Sequence, residues 1–190
     1  MSIKGTHTTA DYLDFDITLN KSLKLLKSAD KNFKVAFLTV VGLNTGLRIS
    51  DLLTLKHQDL KSDKIIINEK KTGKYREIKI NDTIKDAHNI YMGLLGQVDE
   101  IDPLFISQKK TVFTSRQINN ILKSMFGGKN KNISSHSIRK GFGRKVWELD
   151  SNSDRALILL SKLFNHTSTQ VTRTYLSIQQ EELDNVYLSL

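Results

Sequence analysis

The chain has 190 residues, 38% hydrophobic and 26% charged, with a formal net charge of +9, one proline and no cysteine. This is the composition of one compact globular domain; it excludes disulfides, thiolate chemistry and cysteine-type zinc sites, and no apolar run reaches membrane-spanning length. The charge is uneven: from Ser107 to Trp147 stand ten Lys or Arg and no Asp or Glu, leaving the remainder near −1. That stretch fits a polyanion, most simply nucleic acid, although a solvated basic face would read the same. The N-terminal MSIKGTHTTADYLDFD lacks the apolar core of a leader peptide, and with the missing cysteines this fits a cytoplasmic setting.

In chain order, residues 1–16 read as an irregular, loosely attached lead-in. The run NKSLKLLKSAD puts Leu23 and Leu26 one helical turn apart, with Asn20 as candidate N-cap. FKVAFLTVVGL, from Phe33 to Leu43, is apolar on most sides and predicts a central buried helix, ended by a turn in which Gly46 is free to take positive φ. Arg48 then opens RISDLLTL, whose Ile49, Leu52 and Leu53 share a helical face. IIINEKKTGKYREIKI reads as a hairpin, with Ile65 to Asn68 on one strand, Lys71, Thr72 and Gly73 at the tip, and Ile78 with Ile80 on the other.

A helix is expected from Thr83 to Leu95, packing through Ile84, Ala87, Tyr91, Leu94 and Leu95, with Pro103 breaking the chain after it. Thr114 or Ser115 caps another through Ile118, Ile121, Leu122 and Met125, stopped by Gly127 and Gly128. Helices around Arg139–Trp147, Ala156–Phe164 and Ser168–Tyr175 complete an α+β fold, mainly helical, with one small antiparallel hairpin. Leu183, Val186, Tyr187 and Leu190 then form an apolar stripe, to be packed on a neighbouring protomer or folded back on its own.

Six residues carry chemistry: Arg48, Lys71, His136, Arg139, His166 and Tyr175. Arginine offers phosphate a planar fork of donors, histidine exchanges a proton near neutral pH, and a tyrosine hydroxyl can be a nucleophile. His136 and Arg139, three apart, share a helical face. Each alone has an ordinary reading: Arg48 a surface residue, the hairpin lysines phosphate contacts, His136 a cap or core residue. Together they suit metal-free attack on a phosphodiester. Tyr12, Tyr75, Tyr91 and Tyr187 lack such context and read as packing or surface residues.

In order and spacing these motifs resemble the tyrosine recombinase (phage integrase) family: Arg48 in TGLRISDLLTL, Lys71 in KKTGKYREI, His136 and Arg139 in HSIRKGF, His166 in LFNHTS, and Tyr175 in VTRTY. Three positions depart from the family pattern, Asp51 standing where Glu is usual and Phe164-Asn165 where Leu-Gly is usual before the second histidine; Asn tolerates left-handed backbone, so that turn survives. The resemblance implies a catalytic-domain fold over 19–190, with 1–18 a lead-in or linker and the usual N-terminal DNA-binding domain absent. It implies Tyr175 as nucleophile, Arg48 and Arg139 as a phosphate clamp, and Lys71 as acid for the leaving 5′-oxygen. It also implies no cofactor and no metal, a 3′-phosphotyrosyl intermediate, and a homotetramer on double-stranded DNA with no membrane partner. Lys70, Lys74, Arg76, Lys129, Lys131, Lys140 and Arg144 are the expected DNA contacts. The rival expectations are a type IB topoisomerase-like relaxing enzyme and a non-cleaving DNA-binding accessory module.

Overall fold

A computed structural model describes residues 9–128 and 131–190, with 179–183 described by backbone alone. Helix α1 (Phe15–Lys27) starts earlier than its leucine spacing suggests: Asp14, not Asn20, is the N-cap, its side chain accepting from the Ile17 amide. Of the expected loose lead-in, residues 1–8 lie outside the described residues, and the stretch 11–13 is docked. Leu13 is buried, and the amides of Asp11 and Leu13 donate to the carbonyls of Asn132 and Ser137 at 3.0 and 3.2 Å.

Helix α2 (Phe33–Thr45) is the spine, with Val35 to Leu43 buried on every face. Glycine is required where it ends. Gly46 takes φ 62°, and a Cβ there would lie 2.4 Å from the Phe142 ring. One helical turn, α3 (Ile49–Leu52), and a 3₁₀ turn at His57–Leu60 lead to the hairpin. Strand β1 (Lys64–Asn68) pairs antiparallel with β2 (Tyr75–Lys79), Ile65 opposite Ile78 and Asn68 opposite Tyr75. Ile65 and Ile67 are buried while Ile66 is exposed, the alternation that fastens one face of the hairpin to the core.

Helix α4 (Asp82–Leu95) is capped by Asn81 and buries Ile84, Ala87, His88 and Tyr91. Leu94, expected on that face, is 37% exposed, and His88 packs instead. Helix α5 (Ser115–Phe126) opens with a capping box between Thr114 and Gln117. The last quarter folds as α6 (Ser135–Leu149), α7 (Asp154–Phe164), α8 (Thr169–Tyr175) and α9 (Ile178–Leu188). On α9, Ile178 is buried but Val186 and Tyr187 are exposed, as is Leu190 beyond its end, so these three do not fold back on the chain; the side chain of Leu183 lies outside the described residues.

Among the described residues, buried apolar side chains gather in two clusters. The larger includes Leu26, Phe37, Leu38, Leu52, Tyr91, Leu122 and Ile138. The smaller consists of Leu157, Leu160, Phe164, Leu176 and Ile178, with Phe142, Val146, Trp147 and Tyr175 packed on it. Among the described residues no helix is long and apolar enough to cross a membrane.

Candidate active site

Arg48 is set by the turn that closes α2, and it becomes the N-cap of α3. A cation there opposes the helix dipole, and the guanidinium turns elsewhere. Its Nη1 donates to Glu69 Oε2 at 2.7 Å and its Nη2 to the Phe164 carbonyl at 2.9 Å. Three residues on, the buried Asp51 accepts from the Lys70 amide at 3.0 Å through Oδ1, fastening the hairpin to α3.

Glu69 is the group that sequence reasoning missed. It is 3% exposed, and besides Arg48 it accepts from Thr72 Oγ1 at 2.9 Å and Arg76 Nη1 at 3.3 Å. Its backbone closes the hairpin tip, the Gly73 amide donating to its carbonyl at 2.8 Å and its own amide to that of Lys74 at 2.9 Å. Burial works against the carboxylate, but the hydrogen bonds from Thr72, Arg48 and Arg76 and the charge of Arg48 more than offset it and hold Glu69 below the usual range. The available signal was a single acid inside the basic run NEKKTGKYR.

On α6, His136 stands at the exposed first turn and Arg139 one turn deeper, 4% exposed. Arg139 donates through Nη1 to the Gly46 carbonyl and through Nη2 to the Phe164 carbonyl, and its guanidinium lies 4.2 Å from the Phe164 ring centroid. Burial, with the nearby charges of Arg48 and Arg76, brings Arg139 down to about 10, against the opposing pull of Tyr175 and Glu69. His136 is held below the ordinary imidazole value by desolvation and then by Arg139, Lys140, Lys71 and Arg48.

Helix α7 ends in a left-handed Asn165, φ 56° and ψ 47°, as its tolerance of that region allows. This turn delivers His166, whose Nδ1 is 3.0 Å from Thr172 Oγ1 and whose ring meets Tyr175 edge-on at 5.2 Å. Desolvation lowers His166 as well, followed by the charges of Arg139, Arg48 and Lys71. Tyr175 ends α8 with its ring against Phe164, and its Oη is buried without a hydrogen-bond partner. Burial pushes the phenol up, while Arg139 and Arg48 pull it back; Arg139 is close enough to act on Oη but misses hydrogen-bond geometry.

A single cleft of about 210 Å³ is lined by Arg48, Lys71, His136, Arg139, His166 and Tyr175, with Thr72, Phe164 and Asn165. All six residues singled out for chemistry therefore meet in one place. Among the described residues no three His, Asp or Glu side chains converge as metal ligands. Chemically, the cleft presents two guanidiniums, an ammonium, two imidazoles and a phenol to one anionic group.

The expected DNA contacts divide. Lys70 and Lys131 are exposed, Lys129 lies outside the described residues, and Lys74 reaches Asn165 Oδ1. Arg76, Lys140 and Arg144 are instead drawn inward. Arg76 binds Glu69 and the Thr45 carbonyl, Lys140 is 2% exposed with its Nζ 5.4 Å from the Tyr175 ring, and Arg144 is 8% exposed over the Tyr12 ring.

A family model described as the phage integrase family matches residues 17–182. The probable integrase/recombinase YoeC of Bacillus subtilis (strain 168) is 29% identical over 161 residues, covering 83% of this chain and 85% of YoeC. Tyrosine recombinase XerC of Caldanaerobacter subterraneus subsp. tengcongensis is 26% identical over 174 residues, 88% of this chain but 48% of XerC. Among solved structures, XerA recombinase matches with a TM-score of 0.68 at 22% identity, over 97% of this chain and 65% of XerA. XerH recombinase bound to its palindromic difH substrate matches with a TM-score of 0.63 at 22% identity, over 98% of this chain and 57% of XerH. The chain thus spans roughly half to two thirds of XerC, XerA and XerH, and most of YoeC.

Proposed function

The chain belongs to the phage integrase family and has the fold of tyrosine recombinase catalytic domains, and from that premise we propose that residues 19–190 cut and rejoin double-stranded DNA at specific sites. The observation that carries this reading is the convergence of Arg48, Lys71, His136, Arg139, His166 and Tyr175 on one cleft.

In the proposed reaction Tyr175 Oη attacks the scissile phosphorus, its proton passing to a neutral histidine of the cleft. The O–P bond to Tyr175 forms as the bond to the 5′-oxygen breaks, and Lys71 supplies the proton that leaves with the 5′-hydroxyl. Arg48 and Arg139 stabilise the charge that grows on the non-bridging oxygens. The lowered histidines suit this role, since only a neutral imidazole accepts a proton. The buried, unpartnered Oη has no acceptor to surrender before attack. The 3′-phosphotyrosyl link conserves the energy of the broken bond, and a partner strand's 5′-hydroxyl reverses the step. No metal takes part, and four protomers assemble on DNA in the cytoplasm.

The test is a denaturing-gel assay with nicked DNA, drawn from a pool of candidate sites, whose short fragment diffuses away after cleavage, in the absence of divalent metal. A covalent protein–DNA adduct that disappears in Tyr175→Phe is the expected result. Tight, salt-sensitive binding without adduct on any site would instead make the chain a DNA-binding module.

A further inference from the structure

Glu69 stands between two parts of the cleft that sequence separates by more than twenty residues. Through Oε2 it holds Arg48 Nη1 at 2.7 Å and Thr72 Oγ1 at 2.9 Å, and through Oε1 it meets Arg76 Nη1 at 3.3 Å. Its backbone amide and carbonyl close the tip that carries Lys71. We infer that Glu69 is a positioning residue, a buried strut that fixes the Lys71 hairpin and the Arg48 guanidinium in one geometry.

The chemistry makes the placement costly unless it does something. A carboxylate beside a phosphate site repels the ligand that the site is built to hold, and a neutral acceptor would avoid that repulsion. What the carboxylate adds is a rigid, charge-assisted bond to a long, rotamer-rich side chain, at a point where a displacement of about 1 Å can cost about a hundredfold in rate. Arg76 anchors the strut from the far side, since its Nη2 is tied to the Thr45 carbonyl at the end of α2. The hairpin tip, Arg48 and the end of α2 are thus fastened through one side chain. A second device works alongside: Lys74, from the same tip, donates to Asn165 Oδ1 in the turn before His166.

This inference rests on the proposed strand-cleavage reading, so its test has an arm that does not. The variant is Glu69→Gln, which keeps size and one acceptor oxygen. Single-turnover adduct formation is expected to slow by about 10- to 100-fold, while DNA affinity is unchanged or tighter, because a negative charge has left the site. A merely structural role would lower affinity and rate together with the melting temperature. Glu69→Asp, which restores the charge, is expected to recover part of the rate. Amide exchange supplies the independent arm: in Glu69→Gln the amides of residues 70–74 should lose protection while those of α2 and α4 keep theirs. Unchanged protection at 70–74, wild-type cleavage, or parallel loss of binding, rate and global stability would each overturn the inference. Should the wild type form no adduct, the cleavage reading falls, and the exchange arm still decides the role of Glu69.

Discussion

Arg48 and Arg139 donate to the same acceptor, the carbonyl oxygen of Phe164, at 2.9 and 3.4 Å. That oxygen sits at the C-terminal end of α7, where the helix dipole is negative and unsatisfied carbonyls point outward. It holds two like charges side by side, and an anion between them would relieve their repulsion. Vanadate or sulfate should therefore stabilise the protein, by about 1.4 kcal/mol at a tenfold excess over Kd, a melting shift of roughly 3–6 °C for a chain of this size. The shift should vanish in Arg48→Gln. Equal shifts in both proteins would mean that the anion binds elsewhere.

Tyr175→Phe deletes a buried hydroxyl that has no partner. Such a deletion removes a desolvation cost rather than a bond. The variant should melt within about 1 kcal/mol of the wild type, or slightly above it, while the covalent adduct is lost. A large drop in melting temperature would show that Oη is held by a contact after all.

Arg139→Lys keeps a charge but loses the planar fork that reaches two carbonyls and stacks on Phe164. Adduct formation should fall by about 10²- to 10³-fold, with little change in nonspecific DNA affinity, because Arg139 is buried and the surface charge is unchanged. Single-turnover rates beside filter binding at one salt concentration would separate the two quantities.

Acid should weaken the fold. His57 and His88 are buried, each with one ring nitrogen unpartnered, and burial holds both below the ordinary imidazole value; for His57 the charge of Asp102 opposes this and that of Lys61 adds to it, and for His88 the charges of His57 and Lys61 add to it. A lowered folded-state value means that the unfolded chain binds the proton first. Their full contribution is present above about 6.5 and is lost as pH falls through the folded-state values. His136 and His166 carry the same sign. Melting curves between pH 5 and 8 should show this decline, and the His57→Phe, His88→Phe double variant should flatten it; an undiminished slope in the double variant would assign the decline to other groups.

Gly141 allows α6 to touch the chain before α1, since a Cβ there would stand 2.4 Å from the Leu13 backbone carbonyl. Backbone cannot step aside as a side chain can. Gly141→Ala should cost about 1–3 kcal/mol and free the segment around Leu13 to proteolysis, whereas Gly93→Ala, with nothing near its Cβ position, should not.

Much of this arrangement was legible because its signals are local. The Gly46 turn, the cap at Thr114 or Ser115, the KTG tip and the spacing from His136 to Tyr175 each depend on near neighbours, and each predicts an element the structure contains. The helix start at Asp14 was hidden because DYLDFD alternates polar and apolar residues and carries no helical period. The burial of Lys140 and Arg144 was hidden for a different reason: a charge count cannot tell which face of α6 turns inward. The clue was that His136, Arg139, Lys140 and Arg144 fall on one helical face with Gly143 among them, the mark of a helix packed closely on its charged side. Glu69 was invisible because its partners Arg48 and Arg76 come from opposite sides of it in sequence, and only the folded hairpin brings them together.

The two apolar clusters divide the working parts between them. Arg48 and the hairpin lysine are carried by elements of the larger one, whereas His166 and Tyr175 ride on the smaller, which has five buried side chains among the described residues. Small clusters open at lower free energy than the global fold. Warming should therefore part Tyr175 and His166 from Arg48 and Lys71 while most helices persist, so that the proposed cleavage stops before the protein melts, at a ceiling set by Leu157, Leu160, Phe164, Leu176 and Ile178 with the side chains packed on them. Coincident loss of adduct formation and helical circular dichroism on a temperature ramp would refute such a thermal fuse.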